Sequence, residues 1–191
     1  AIEVDPGYAL AWAGLGDAYA QRRDKYGYPP AWSDSVIAAG SRAISLDPKL
    51  AEGYKTLGLG YQGKGFYGKA LEAYRRGYAL NPSFIPALAN TGWIALFTGR
   101  LAEAERTFLR VIELEPNLAF DLMALAYVYI VLGDYRAARS ACARALEVQP
   151  GLLIAYIGLS YIAAAENDMD GAVVSFDLNY RAKLWNIVGG H

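Results

Sequence analysis

The glycines at residues 58–63 have the spacing of a phosphate-binding loop. The segment reads G-x-G-x-x-G, the pattern with which a strand-to-helix turn brings backbone N–H groups close to the pyrophosphate of a dinucleotide. That use requires a strand before the first glycine. Tyr54, Leu57 and Tyr61 instead stand at helical spacing. We therefore predict that these glycines lie inside a helix and bind no nucleotide.

Residue types that support catalysis or metal binding are sparse. The one histidine is His191 and the one cysteine is Cys142, so no metal-ligand spacing exists. Cys142 falls in an apolar column of the sequence and is predicted to be a buried core thiol. Asp168 and Asp170 lie in a predicted turn, where carboxylates cap helices. The sequence thus predicts no catalytic residue, no metal site and no cofactor, and a chain that is not an enzyme.

The charge pattern argues against several classes of partner. Eighteen Lys and Arg against nineteen Asp and Glu give a formal net charge of −1, and no basic run forms the patch that a nucleic acid requires. The longest apolar stretch, residues 122–132, has eleven residues, too few to span a bilayer. A lone cysteine indicates no internal disulfide and favours a cytoplasmic protein. We expect neither a nucleic-acid partner nor a membrane span.

A proline recurs at a constant interval along the chain, and other residues recur with it. After each proline, the sixth residue is tyrosine or leucine, and an alanine follows later at a fixed distance. A period of roughly 20–50 residues is typical of a stacked array, which presents a long surface rather than a deep pocket. The recurring residues are Pro48, Pro82, Pro116 and Pro150, followed by Ala70, Ala104, Ala138 and Ala172.

Each repeating unit carries two apolar stripes of helical period. In the fourth unit, Leu122, Leu125 and Tyr129 define the first stripe. Gly133 and Asp134 then supply a helix stop and the next helix start. Each unit is therefore predicted to be a helical hairpin, and hairpins must stack because one alone cannot bury both stripes.

These residues resemble the tetratricopeptide repeat family, whose units read W-x2-L-G-x2-Y, then A-x3-F-x2-A, then P. The resemblance covers nearly the whole chain, with five units in register. It implies an all-α fold, a right-handed α-solenoid of stacked antiparallel helix pairs. The matching positions are Trp12, Leu15, Gly16 and Tyr19, then Tyr54, Leu57, Gly58, Tyr61, Ala70, Tyr74, Gly77 and Pro82, then Gly92, Ala104, Phe108 and Pro116, then Leu125, Tyr129, Ala138, Ala145 and Pro150, and finally Leu159, Ala172 and Phe176.

The period divides the chain into one continuous array. Residues 1–6 match the end of a unit, which indicates a fragment of a longer protein. The first unit, residues 7–48, is longer than the units that follow because it carries an insertion. The insertion falls around residues 24–30, where a turn-rich loop is predicted. The later units are residues 49–82, 83–116, 117–150 and 151–191, the last with a C-terminal capping extension.

The resemblance also implies a concave groove lined by a second stripe of each first helix. Position 9 of three consecutive units is aromatic in that stripe. The groove is therefore predicted to be apolar toward the C-terminus and polar toward the N-terminus. The apolar end comprises Trp93, Leu96, Phe97, Phe120, Met123, Tyr127, Ile130, Ile157 and Tyr161, with Ile154 in the same stripe, and the polar end comprises Asp17, Glu52, Lys55 and Gln62.

An exposed apolar stripe of this size requires a cover. The resemblance implies a protein or peptide partner, such as an amphipathic helix laid into the groove. Three alternatives cover the same stripe: tighter winding of the array, a second copy of the chain, giving a homo-oligomer, or the chain's own C-terminal tail with Trp185 and Ile187. A further hypothesis makes the array a regulatory sensor arm of a larger bacterial signalling protein, because the long first unit resembles repeats found in such proteins.

Overall fold

The computed structural model describes residues 2–26 and 31–166. These ranges contain nine α-helices and no strand. The all-α helical-repeat fold predicted from the period is confirmed. The helices are α1 Ala9–Tyr26, α2 Trp32–Leu46, α3 Ala51–Gly63, α4 Tyr67–Leu80, α5 Ile85–Phe97, α6 Leu101–Leu114, α7 Ala119–Leu132, α8 Tyr135–Val148 and α9 Leu153–Ala165.

The helices fall into two compact units, with the border between Arg100 and Leu101. In the first unit each helix from α1 to α5 packs on the next, and α3 also contacts α1 and α5. In the second unit α7 contacts α6, α8 and α9, and α8 packs on α9. Contacts between neighbours and next neighbours are the packing of stacked helical hairpins.

Three hairpin turns in the described part of the chain contain a glycine that recurs at the same interval as the prolines. At each turn the glycine and the residue after it donate their N–H groups to carbonyls of the preceding helix, as from Asp134 to Tyr129 at 2.9 Å. The Asp134 side chain then accepts from the Ala137 N–H at 2.9 Å and caps α8. The helix stop and start predicted at this turn are confirmed. The φ angles are +74°, +73° and +76° at Gly65, Gly99 and Gly133.

We expect Gly133→Ala to lower the free energy of unfolding by about 1 kcal/mol, because a left-handed backbone strains a residue that carries a Cβ. No atom lies within 4 Å of the place that the Cβ would take, so the loss comes from the backbone alone. Gly133→Asn should lose less, since asparagine tolerates this conformation better. Urea unfolding followed by circular dichroism measures both variants. Equal losses would contradict the backbone explanation.

Most loops between repeats are closed by a side chain six residues after the proline. Its polar tip donates a hydrogen bond back to the proline carbonyl, which anchors the first helix to the loop before it. Leu88 and Leu122 occupy the same column after Pro82 and Pro116 and have no donor. The hydrogen-bonded pairs are Trp12 with Pro6 at 2.9 Å, Tyr54 with Pro48 at 3.2 Å and Tyr156 with Pro150 at 3.0 Å.

The buried core follows the same columns. On α3, Gly58 approaches the ring of Tyr74 so closely that an added Cβ would lie 2.4 Å from its Cε1 atom. The prediction that Cys142 is a buried thiol is confirmed. Burial raises the pKa of Cys142 to about 11, although Arg139 acts to lower it, so the thiol is neutral at neutral pH. Full burial is shared by Ala70, Ala104 and Ala138 and by Tyr74, Phe108 and Cys142.

The structure differs from the sequence expectation at the end of α1. A loop is predicted around residues 24–30, yet the helix continues to Tyr26. Residues 24–26 contain no helix breaker, and Gly27 is the first one in the segment. Residues 27–30 lie outside the described ranges. So do the end of the fifth unit and its predicted capping extension, and with them Asp168, Asp170, Ala172, Phe176, Trp185, Ile187 and His191.

Candidate partner-binding site

A cavity of about 580 Å³ opens between α7 and α9 in the second unit. Tyr127, Ile157 and Tyr161 form part of its wall and are 54%, 52% and 57% exposed. Among the described residues, no charged side chain lines it. The cavity is therefore an apolar surface open to solvent. Its lining consists of Met123, Tyr127, Ile130, Val131, Leu132, Gly133, Tyr135, Ile154, Ile157, Gly158 and Tyr161.

Helical spacing brings the side chains of the cavity wall together. On α9, Ile154, Ile157 and Tyr161 stand at i, i+3 and i+7 and so share one face of the helix. On α7, Tyr127 and Ile130 stand at i and i+3. Because α7 and α9 contact each other, the two faces meet along one space.

The floor of the cavity depends on a glycine in α9. A Cβ on Gly158 would lie 3.2 Å from the sulfur of Cys142 and 3.4 Å from Cε of Met123. Met123 is only 4% exposed, so its flexible thioether fills the base of the cavity rather than its rim. The missing side chain at Gly158 thus allows the two helices and the methionine to pack closely.

The nine predicted apolar groove residues lie in both units. In the first unit, the tilted rings of Trp93 and Phe97 have centroids 5.8 Å apart, and the ring centroid of Tyr67 lies 6.5 Å from that of Phe97. Leu96 is half-buried on the same helix. In the second unit, Phe120 is 63% exposed on α7 but does not line the cavity. The residues that line it are Met123, Tyr127, Ile130, Ile157 and Tyr161.

Sequence reasoning missed part of both surfaces. Val131 and Leu132, which are 54% and 49% exposed, and Tyr135 complete the cavity at the junction of α7 and α8. Tyr67 extends the aromatic cluster of the first unit. These residues lie outside the stripe assigned to the first helices. The sequence signal that could have identified Val131 and Leu132 is the uncharged apolar run of residues 122–132, which continues up to Gly133.

Three of the predicted polar groove residues, Asp17, Lys55 and Gln62, make side-chain contacts within the first unit. Asp17 on α1 forms an ion pair with Lys55 on α3 and accepts a hydrogen bond from the Thr56 hydroxyl at 2.9 Å. The Tyr74 hydroxyl donates to Oε1 of Gln62 at 2.7 Å. These contacts join α1 to α3 and α3 to α4. The residues of the predicted polar end, all half-buried, are Asp17, Glu52, Lys55 and Gln62.

Two titratable groups on α7 have shifted pKa values. Burial raises the pKa of Asp121 to about 6, and the nearby charge of Glu115 acts in the same direction. Burial also raises the pKa of Tyr129, with smaller effects from Glu105 and Asp134. Asp121 therefore loses its charge on mild acidification, whereas Tyr129 stays a neutral phenol. Neither side chain lines the cavity.

The glycine pattern at residues 58–63 lies within α3, as the sequence predicts. Within residues 2–26 and 31–166, no group of three or more His, Cys, Asp or Glu side chains is placed to hold a metal ion. None of the described helices is both long enough and apolar enough to cross a bilayer. This part of the chain exposes apolar surface, and burial of that surface against another apolar surface lowers the free energy.

The sequence matches the model of the tetratricopeptide repeat family over residues 55–119 and 123–183, which is more than half of the chain. Among curated proteins, bimA of Emericella nidulans is 30% identical over 107 residues. That match covers 56% of this chain but only 12% of bimA. The chain therefore corresponds to a small part of that relative.

Several solved structures have a similar fold. MamA has a TM-score of 0.72 at 21% identity, covering 88% of this chain and 96% of MamA. PilF of Pseudomonas aeruginosa has a TM-score of 0.79 at 19% identity, covering 92% and 76%. YrrB, described as a tetratricopeptide repeat protein with an unusual peptide-binding site, has a TM-score of 0.65 at 17% identity, covering 95% and 89%. At such identities the likeness establishes the fold.

Proposed function

The chain belongs to the tetratricopeptide repeat family, and from this premise we propose that it is a protein-interaction scaffold with no catalytic activity of its own. Proteins of this family are generally non-enzymatic scaffolds, and YrrB is described as having a peptide-binding site. In the proposal, the cavity between α7 and α9 receives an amphipathic helix or an apolar peptide segment of a partner protein.

One observation carries this proposal, namely the exposed aromatic lining of the cavity. Tyr127, Ile157 and Tyr161 each expose more than half of their surface around a single space of about 580 Å³. An aromatic side chain can bury roughly 150–250 Å², and tyrosine is among the residues that dominate binding energy at interfaces. Because both tyrosines stand on packed helices, little conformational entropy is lost when they bind.

We expect Tyr127→Ala combined with Tyr161→Ala to weaken peptide binding by more than about tenfold, since one aromatic anchor contributes on the order of 2 kcal/mol. The probes are peptides of about fifteen residues, selected from a random library against the immobilised chain, with affinity measured by fluorescence anisotropy. Tyr8→Ala combined with Leu109→Ala removes two other exposed apolar side chains and serves as the matched control. Equal affinity in wild type and the Tyr127/Tyr161 variant would exclude the cavity as the binding site.

Light scattering over a wide range of protein concentrations distinguishes a cavity that binds a partner protein from one that binds a second copy of the chain. The proposal expects a monomer at every concentration. A dimer that dissociates when Tyr127 and Tyr161 are replaced would show that the same lining holds a second copy, and would contradict the proposal. Circular dichroism of each variant checks that the helices are intact.

A further inference from the structure

A second cavity, of about 690 Å³, lies between α3 and α4 in the first unit, and its character is different. Tyr54, Leu57 and Tyr61 stand at i, i+3 and i+7 of α3 and line one side. Lys69 and Arg76 stand at i and i+7 of α4 and line the other. Residues seven apart share one face of a helix. The cleft therefore combines a half-buried aromatic floor with a cationic wall.

The cations of this wall outnumber its carboxylates. Among the residues that the structure describes, Lys69, Arg75 and Arg76 line the cleft together with one carboxylate, Glu72, and all four side chains are exposed. The Lys69 ammonium also lies over two aromatic rings, with Nζ 5.6 Å from the ring centroid of Tyr61 and 5.6 Å from that of Phe66. Cations on one helix face, such as Lys69 and Arg76, suit the carboxylates of an extended ligand.

We propose that this cleft binds an acidic peptide segment of a partner protein. Carboxylates of the peptide meet Lys69 and Arg76, and an apolar side chain between them packs on the tyrosine floor. Charge complementarity of this kind selects the partner and speeds association. The site lies on α3 and α4, shares no residue with the cavity of the second unit, and so extends the proposed function.

A peptide fits the cleft better than a polynucleotide does. Glu72 stands between Lys69 and Arg76 on the same face of α4, so a carboxylate interrupts the row of cations and repels closely spaced phosphates. A peptide can alternate acidic and uncharged side chains and match this row. The formal net charge of −1 also provides no long-range attraction for a polyanion.

The test uses a fluorescein-labelled peptide in which glutamate and leucine alternate, with binding followed by fluorescence anisotropy at low salt. We expect Lys69→Gln combined with Arg76→Gln to weaken binding about tenfold, as for the loss of two partly screened charge contacts. Arg106→Gln combined with Arg144→Gln removes the same charge from exposed positions on α6 and α8 and should change affinity less than about twofold. The same peptide with glutamine in place of glutamate should bind about tenfold more weakly.

Three results would overturn the assignment. Unchanged binding in the Lys69/Arg76 variant would exclude the cleft, and equal weakening in the Lys69/Arg76 and Arg106/Arg144 variants would indicate attraction to overall charge. An oligothymidine that binds more tightly than the peptide, and loses affinity in the Lys69/Arg76 variant, would assign the cleft to nucleic acid. The Tyr127/Tyr161 variant should bind the acidic peptide like wild type, so this test and the test of the proposed function fail independently.

Discussion

Gly58→Ala is expected to destabilise the protein by about 2–3 kcal/mol, although alanine is the better helix former. The new Cβ would lie 2.4 Å from Cε1 and 2.6 Å from Cδ1 of Tyr74, closer than non-bonded carbon atoms can approach. Tyr74 is fully buried and its hydroxyl donates to Gln62 at 2.7 Å, so its ring cannot swing away. The helices α3 and α4 must separate instead. Urea unfolding measures the loss.

A second substitution tests whether Tyr74 is the cause. In the fourth repeat the same two columns hold Ala126 and Cys142, both fully buried, so a larger residue on the first helix accompanies a smaller one on the second. Tyr74→Cys should therefore relieve Gly58→Ala, giving a coupling free energy of about 2 kcal/mol in a double-mutant cycle. Strictly additive losses would contradict this account.

The matched control for Gly58 is Gly14, which lies in α1. No atom stands within 4 Å of the place that a Cβ on Gly14 would take. Gly14→Ala should therefore stabilise the protein, by up to about 1 kcal/mol, through helix propensity alone. A loss at Gly14 comparable to that at Gly58 would show that contact with Tyr74 is not the deciding effect.

Asp17→Ala is the second substitution with a large expected effect, a loss of about 2–3 kcal/mol. The side chains of Lys55 and Asp17 are only 15% and 26% exposed where they pair. Removal of Asp17 leaves the Lys55 ammonium poorly solvated and takes away an acceptor of the Thr56 hydroxyl. Thermal and urea unfolding report the loss.

The matched control for this ion pair is Asp34 with Lys64. It joins residues of the same unit at 2.5 Å, but its side chains are 64% and 32% exposed. Asp34→Ala should lose less than about 1 kcal/mol, as is usual for surface pairs. Lys55→Met should restore most of the stability lost in Asp17→Ala, because an uncharged side chain needs no partner. Failure of that rescue would locate the loss elsewhere.

The repeating features of the fold were readable from the sequence because each is a local backbone requirement. Gly133 followed by Asp134 predicts a turn since glycine adopts positive φ and aspartate caps the next helix. The buried columns at Ala138 and Cys142 follow from the helical period. A requirement that returns at a constant interval is visible without knowledge of any distant contact.

Contacts between distant residues were not readable in this way. Asp17 and Lys55 are 38 residues apart, and the helical stripe that places both at the polar end of the groove does not indicate that they form an ion pair. Helical rotation does place Tyr127 and Tyr161 on facing helices, but it says nothing of the junction between α7 and α8, where Tyr135 completes the cavity. Periodicity predicts the face of a helix, whereas the depth and closure of a cavity depend on how close the helices approach.

The hydrogen bond from an aromatic side chain to the preceding proline carbonyl is present at some junctions between repeats and absent from others. Repeats that begin with Trp12, Tyr54 or Tyr156 hold the preceding loop by a hydrogen bond, and a neutral bond contributes about 0.5–1.5 kcal/mol. Repeats with Leu88 or Leu122 in that column lack this contribution. Leu122 is instead fully buried, so that junction is stabilised by apolar packing in place of a hydrogen bond. One column of the repeat therefore uses two kinds of contact to hold its junctions, a hydrogen bond to the proline carbonyl at three of them and a leucine side chain at two.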